Sequence, residues 1–275
     1  MMATMRQETE TDEQRAAEAT PEASPASRLR TSRDEAWAKP VDRVSVTAAA
    51  ERAPADTVQG RKLSGPLQGF GRMWQKTFRV PLYGATLSPR EVIAIWKAEF
   101  PAFWPKSAKF YAPLAGIAPG EVALLELKPL PGAPIKLSTG VMVIYADDES
   151  FTFMTPEGHT LSAWITFSAF EENGVTVAQA QALERPSDPL DELAYMLGGS
   201  KMNDRFWEQT LANLATRLGA GGVPVETQRV CIDKRRQWRQ VGNLRHSASI
   251  DTMKRTATAP IRAMRRAVKR ASDRR

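Results

Sequence analysis

Between Glu121 and Arg185 the chain alternates apolar and polar residues with a period of two. Five runs carry the pattern: EVALLEL (121–127), LSTGVMVIYA (137–146), SFTFMT (150–155), LSAWITFSAF (161–170) and VTVAQAQALE (175–184). Successive side chains of a strand point to opposite faces, so each run predicts one. Asp147–Glu149, Pro156–His159 and Glu171–Gly174 make short connections between the later runs. Short links force antiparallel neighbours, because a parallel pair needs a long crossover. In the fourth run Ala163, Ile165, Phe167 and Ala169 share an all-apolar face, predicted to point at the core. Trp164, Thr166, Ser168 and Phe170 share a mixed face.

Elsewhere the period lengthens. QKTFRVPLYGA (75–85) predicts a further strand, and a helix signal follows it. Ser88 can cap, Pro89 suits the first helical position and Glu91 completes a capping box. Val92, Trp96 and Phe100 recur at helical spacing until Pro101 stops the run. The longest helical pattern places Trp207, Leu211, Leu214 and Leu218 on one face, with Asn203 or Asp204 as cap and Gly219 as terminator. Strand, helix, antiparallel meander and long closing helix predict an α+β domain over residues 63–223, opened by SGPLQGFG (64–71).

The flanks read differently. Residues 1–62 are rich in Ala, Thr, Glu, Arg and Pro, with Trp37 the sole aromatic, and are predicted to be disordered. Residues 224–275 are predicted to form a basic, helical tail. In it Asp233 can cap DKRRQWRQVGNLRH (233–246), and Pro260 opens APIRAMRRAVKRASDRR (259–275). Ile261, Met264, Val268 and Ala271 give the latter a narrow apolar stripe opposite Arg262, Arg266, Lys269 and Arg270, with Arg265 adding charge.

Charge sharpens this division. The net +7 separates into −1 for residues 1–62 (10 basic, 11 acidic), −3 for 63–223 (13 against 16) and +11 for 224–275 (15 against 4). A mildly acidic domain argues against a nucleic-acid groove across it. The tail instead permits contact with an anionic membrane, or with nucleic acid through charge alone. One cysteine, Cys231, excludes an intrachain disulfide, and no apolar stretch resembles a signal-peptide core or a membrane span. These features predict a soluble, cytoplasmic protein.

Candidate chemistry is sparse. His159, one of two histidines, lies two residues from Glu157 in the Pro-Glu-Gly-His turn. A general base there would need a partner within hydrogen-bonding reach, and the alternative is a histidine bonded to backbone beside a turn glycine. Asp147, Asp148 and Glu149 lack the spaced oxygen ligands of a calcium loop and read as a solvated hairpin tip. Gly69 and Gly71 are followed by Trp74 where a dinucleotide fingerprint needs its third glycine. No zinc, phosphate-loop or nucleophile-elbow motif occurs, so no metal or cofactor is predicted. Trp96, Trp104, Trp164, Phe206 and Trp207 are either core or the lining of an apolar pocket. Thr176, Ala178, Ala180 and Ala182 share one face of the last strand and would leave space beneath a helix.

The order of elements resembles the helix-grip fold of the START-like, or SRPBCC, superfamily. FWPKSAKFYAPLAGIAPGEVALLELK (103–128), the segment from Ser138 to Leu190 and DRFWEQTLANLATRLG (204–219) are similar to a bacterial family catalogued as domain of unknown function nineteen-ninety. The resemblance covers roughly residues 65–222. It implies a curved antiparallel sheet around a long C-terminal helix, with a cavity between them, and it favours Trp207 and Leu211 as lining; Trp96, Ile165, Phe167, Trp207, Leu211 and Leu214 are the expected ligand-binding residues. It implies no single activity, since the superfamily includes lipid carriers, hormone receptors and cyclases. The leading expectation is a protein that binds a small apolar or amphipathic molecule. The rivals are a cyclase- or hydrolase-like cavity enzyme using His159 or Glu157, and an interaction module working through its tail.

Overall fold

The computed structural model describes residues 34–46, 55–128 and 137–250. The chain divides into two compact units, 1–35 and 36–275, and every element described below belongs to the second.

Its centre is an antiparallel sheet of β1 (Met73–Pro81), β2 (Ala108–Tyr111), β3 (Val122–Leu127), β4 (Leu137–Ala146), β5 (Ser150–Met154), β6 (Leu161–Glu172), β7 (Val175–Pro186) and β8 (Glu226–Asp233). The spatial order is β2-β3-β4-β5-β6-β7-β1-β8. β6 and β7 pair over their whole length, from Leu161 opposite Pro186 to Glu172 opposite Val175. Asn173 and Gly174 close that hairpin with φ of 52° and 75°. A two-residue turn matching the strands' twist needs positive φ at both centres, which Asn-Gly supplies.

Two helices cover one face. α1 (Pro89–Glu99) begins with the predicted capping box: Ser88 Oγ accepts from Glu91 N, and Ser88 N donates back to the Glu91 carboxylate. α2 (Pro189–Ala194) runs through a π turn (Tyr195–Gly199), kinked at Gly198, into α3 (Ser200–Arg217). Val92, Ile93 and Trp96 of α1 and Leu211, Leu214 and Ala215 of α3 share one apolar cluster with Phe78, Phe151, Phe167, Ala178 and Ala180 of the sheet. This is the α+β helix-grip arrangement the sequence predicts, an antiparallel sheet holding a long helix near its C-terminus.

Three boundaries differ from expectation. First, residues 224–233 continue the domain: β8 pairs with β1 from Met73 opposite Asp233 to Arg79 opposite Glu226. Asp233 caps no helix. It accepts from Arg185 Nη2 at 2.8 Å and from Arg235 N at 2.8 Å, and the predicted helix over 233–246 is a 3-10 segment confined to Trp238–His246. Second, residues 34–46 and 55–62 are not featureless. Val44 and Val58 pack on Val122, Leu124 and Met142, and Ala38 N donates to Ile144 O at 2.9 Å. EVALLEL is apolar on both faces, and its second face needs this cover. Third, α3 starts at Ser200, ahead of the expected caps Asn203 and Asp204, whose side chains serve buried carboxylate and lysine partners instead. Residues 1–33 and the tail arginines and lysine at 262, 265, 266, 269 and 270 lie outside the described residues.

Candidate functional site

All six predicted lining residues fall in one cluster on the helix-covered face. Trp96, Phe167, Leu211 and Leu214 are fully buried, whereas Ile165 and Trp207 are half-buried at its margin. Phe100 is the hub, with ring centroids 4.9 Å from Phe110, 5.1 Å from Phe167, 5.2 Å from Phe153 and 5.6 Å from Phe151. A chain of edge-on contacts continues outward from Phe110 to Trp104 (5.1 Å), Phe206 (5.0 Å) and Trp207 (4.9 Å). Ala178, Ala180 and Ala182 are all buried, the first two in the same apolar cluster as these rings, and small side chains there let α1 and α3 settle closely on the sheet. The mixed face of β6 points away, with Trp164 exposed.

Two polar groups stand out within this apolar wall. Trp96 Nε1 and Trp104 Nε1 are buried, and neither has an acceptor among the described residues. A buried donor left unpaired costs about 1–3 kcal/mol. Beside them, α3 is fastened to the end of α1. Asn213 Nδ2 donates to Phe103 O at 2.9 Å, and Arg217 clasps Glu99 through Nε (2.8 Å) and Nη2 (2.7 Å).

At the other end of α3 lies a buried ionic cluster absent from the predicted site. Lys76 Nζ sits 2.6 Å from Asp204 Oδ1 and 2.9 Å from Glu184 Oε1, within 3.3 Å of Ser200 Oγ. Glu184 also accepts from Tyr195 Oη (2.8 Å) and Asn203 Nδ2 (3.0 and 3.1 Å), and Asp204 Oδ2 meets Arg229 Nε at 2.9 Å. Burial, then the Glu184 charge, push the Tyr195 hydroxyl pKa well above its ordinary value. Two cations face two carboxylates, and Lys76 Nζ has three polar neighbours. The cluster fastens the α2–α3 elbow to the sheet. The signal was in the phase: Lys76 lies two and four residues before Phe78 and Val80, and Glu184 continues the Ala178–Ala182 face.

The His159 turn also has a structural role. His159 Nδ1 accepts from Leu161 N at 3.0 Å, and burial depresses its pKa to about 4. Glu157 bonds instead to Lys62, its N donating to Lys62 O (2.8 Å) and its Oε2 accepting from Lys62 N (3.1 Å). No hydrogen bond joins His159 to Glu157 among the described residues. The segment after β8 closes over this turn: Ala248 N donates to Gly158 O at 2.9 Å, and a Cβ on Gly158 would collide with the backbone carbonyl of His246.

A neutral buried histidine has a definite pH signature. The unfolded chain takes up the proton near pH 6.5 and the folded one only near pH 4, so stability is lost as pH falls through that window. The loss amounts to about 3 kcal/mol for this one group. Chemical denaturation at pH 7 and pH 4 is expected to show His159→Asn losing less stability on acidification than the parent protein. Equal losses would place the acid sensitivity elsewhere.

No protein-family model matches the chain, and no curated protein matches it. The chain is similar to several solved structures. Protein Ms6760 from Mycobacterium smegmatis is 13% identical over 58% of this chain and 97% of its own, with a TM-score of 0.39. Ara h 8.0201 is 9% identical over 54% and 99%, with a TM-score of 0.40. XoxI from Bacillus cereus is 14% identical over 52% and 94%, with a TM-score of 0.36. At such scores these likenesses carry no argument.

Proposed function

We propose that the protein binds a small amphipathic molecule at the aromatic wall between the sheet and α3. The observation that carries this reading is the pair of buried indole N–H groups, Trp96 Nε1 and Trp104 Nε1, without an acceptor among the described residues. An apolar body would pack against Trp104, Trp207 and Ile165, which are half-buried already, and oxygen acceptors on it would satisfy the two donors. Reaching Trp96 requires side chains to move aside, because Trp96 is fully buried. The Arg217–Glu99 clasp and the Asn213–Phe103 bond stand where α3 would part from the end of α1.

The enzyme reading has no comparable support. His159 and Glu157 are each committed to backbone partners, and Lys76 is held between Glu184 and Asp204.

Native mass spectrometry of the full chain tests the proposal. A bound small molecule is expected above the chain mass, released on denaturation. Trp104→Phe keeps the ring and removes the donor, so it is expected to weaken retention by about tenfold, the worth of one hydrogen bond. A species of chain mass alone, in both proteins, would count against a ligand.

A further inference from the structure

The elbow between α2 and α3 carries large apolar side chains outward. Leu193, Met196 and Leu197 are all exposed, Leu197 at 79%. They are held there from beneath. Tyr195 is buried with its hydroxyl on Glu184, Asp191 and Glu192 are buried on the same turn, and Lys76 bonds Ser200. A cluster of exposed apolar groups on a fixed turn marks a contact surface.

Its surroundings are basic. Lys201 and Arg205 at the start of α3, and Lys234 and Arg235 beyond β8, are exposed and form no ion pair among the described residues. Arg236 ties the two segments together, reaching Glu192 at 3.2 Å and the Met196 sulfur at 3.6 Å. Ser249 Oγ donates to Asp191 Oδ1 at 3.1 Å, so the described chain ends beside the same helix. Residues 251–275, which follow, add nine Lys or Arg against two Asp. Among the described residues, charge and apolar surface therefore meet on the two segments that Arg236 joins.

We infer that the α2–α3 elbow docks on an anionic phospholipid surface. Leu193, Met196 and Leu197 enter the headgroup layer, and the flanking lysine and arginine side chains meet lipid phosphates. A nucleic acid would use the charges and leave the leucines without a partner. A protein interface would place the apolar groups in a centre from which such charges are depleted. The inference is independent of the ligand proposed above.

The test is co-sedimentation of the full chain with vesicles of equal parts phosphatidylcholine and phosphatidylglycerol. The parent protein is expected to sediment with them, and to do so far less with phosphatidylcholine alone. Replacing Leu193, Met196 and Leu197 together by Ser removes apolar surface and no charge, and is expected to lower the affinity at least about tenfold. An unchanged thermal transition would show the variant folded, as exposed positions predict. In a Cys231→Ser background, Leu197→Cys labelled with a nitrobenzoxadiazole dye reports the contact directly, by a blue shift with the anionic vesicles. Undiminished binding by the triple-serine variant would overturn the inference, as would an unshifted dye. A parent protein that dimerises through the elbow, losing the dimer on the serine substitutions, would likewise overturn it.

Discussion

Lys76→Met is expected to cost about 3–5 kcal/mol of folding stability, the usual price of leaving a buried charge without its partner. The substitution preserves side-chain length and removes the ammonium from between Glu184 and Asp204, both of which stay buried. Asp204 keeps Arg229 at 2.9 Å, whereas Glu184 is left with only the neutral donors Tyr195 and Asn203. Adding Glu184→Gln should therefore recover part of the loss, and urea denaturation of the four proteins gives the coupling as a double-mutant cycle. A cost below about 1 kcal/mol for Lys76→Met, typical of a solvent-exposed pair, would show that water reaches the cluster. The elbow would then not be fixed in the way its exposed leucines require.

Phe100→Ala is expected to be similarly severe, at about 3–5 kcal/mol. The ring is fully buried and touches those of Phe110, Phe151, Phe153, Phe167 and Trp104. Edge-on pairs of this kind contribute about 0.5–1.5 kcal/mol each beyond the area they bury, although five pairs sharing one ring do not add independently. The residue follows α1 directly, just before Pro101, so little local structure depends on its identity and the loss reports packing. Urea unfolding measures it. A loss under about 1.5 kcal/mol, the range of tolerated volume-conserving swaps, would mean that the ring cluster closes up readily. Leucine at the same position should recover a substantial part by refilling the volume.

These two residues illustrate what the sequence discloses and what it hides. Phe100 lies in phase with Val92 and Trp96, and period alone puts it in the core. The five strands from 121 to 184 were legible for the same reason, because alternation with short turns leaves one arrangement of neighbours. Lys76 is in phase with Phe78 and Val80, but a charge in a strand reads first as a solvent position, and its partners come from β7 and α3, more than a hundred residues away. β8 was hidden in a like manner: ETQRVCID has little apolar weight, its edge position leaves one side to water, and the surrounding arginines suggested a free basic tail. Val44 and Val58 gave no period at all, since isolated side chains cover the second face of β3 without forming an element of their own. Of the candidate site, the aromatic wall was legible from spacing. That it is filled depends on how rings from α1, β5 and β6 interlock, a matter of packing that no single segment records.

The most direct measurement is the ¹⁵N–¹H spectrum of the indole groups, recorded while decanoate is titrated into the full chain. The seven tryptophans give a small set of signals, and Trp96→Phe and Trp104→Phe identify the two that matter. A hydrogen bond accepted by the carboxylate moves an indole proton downfield. The account predicts that the Trp96 and Trp104 signals move saturably, with Trp164 on the far face unmoved. If those two signals stay in place throughout the titration while the protein remains folded, no acceptor-bearing ligand of this kind reaches the wall, and the binding function proposed for it is contradicted.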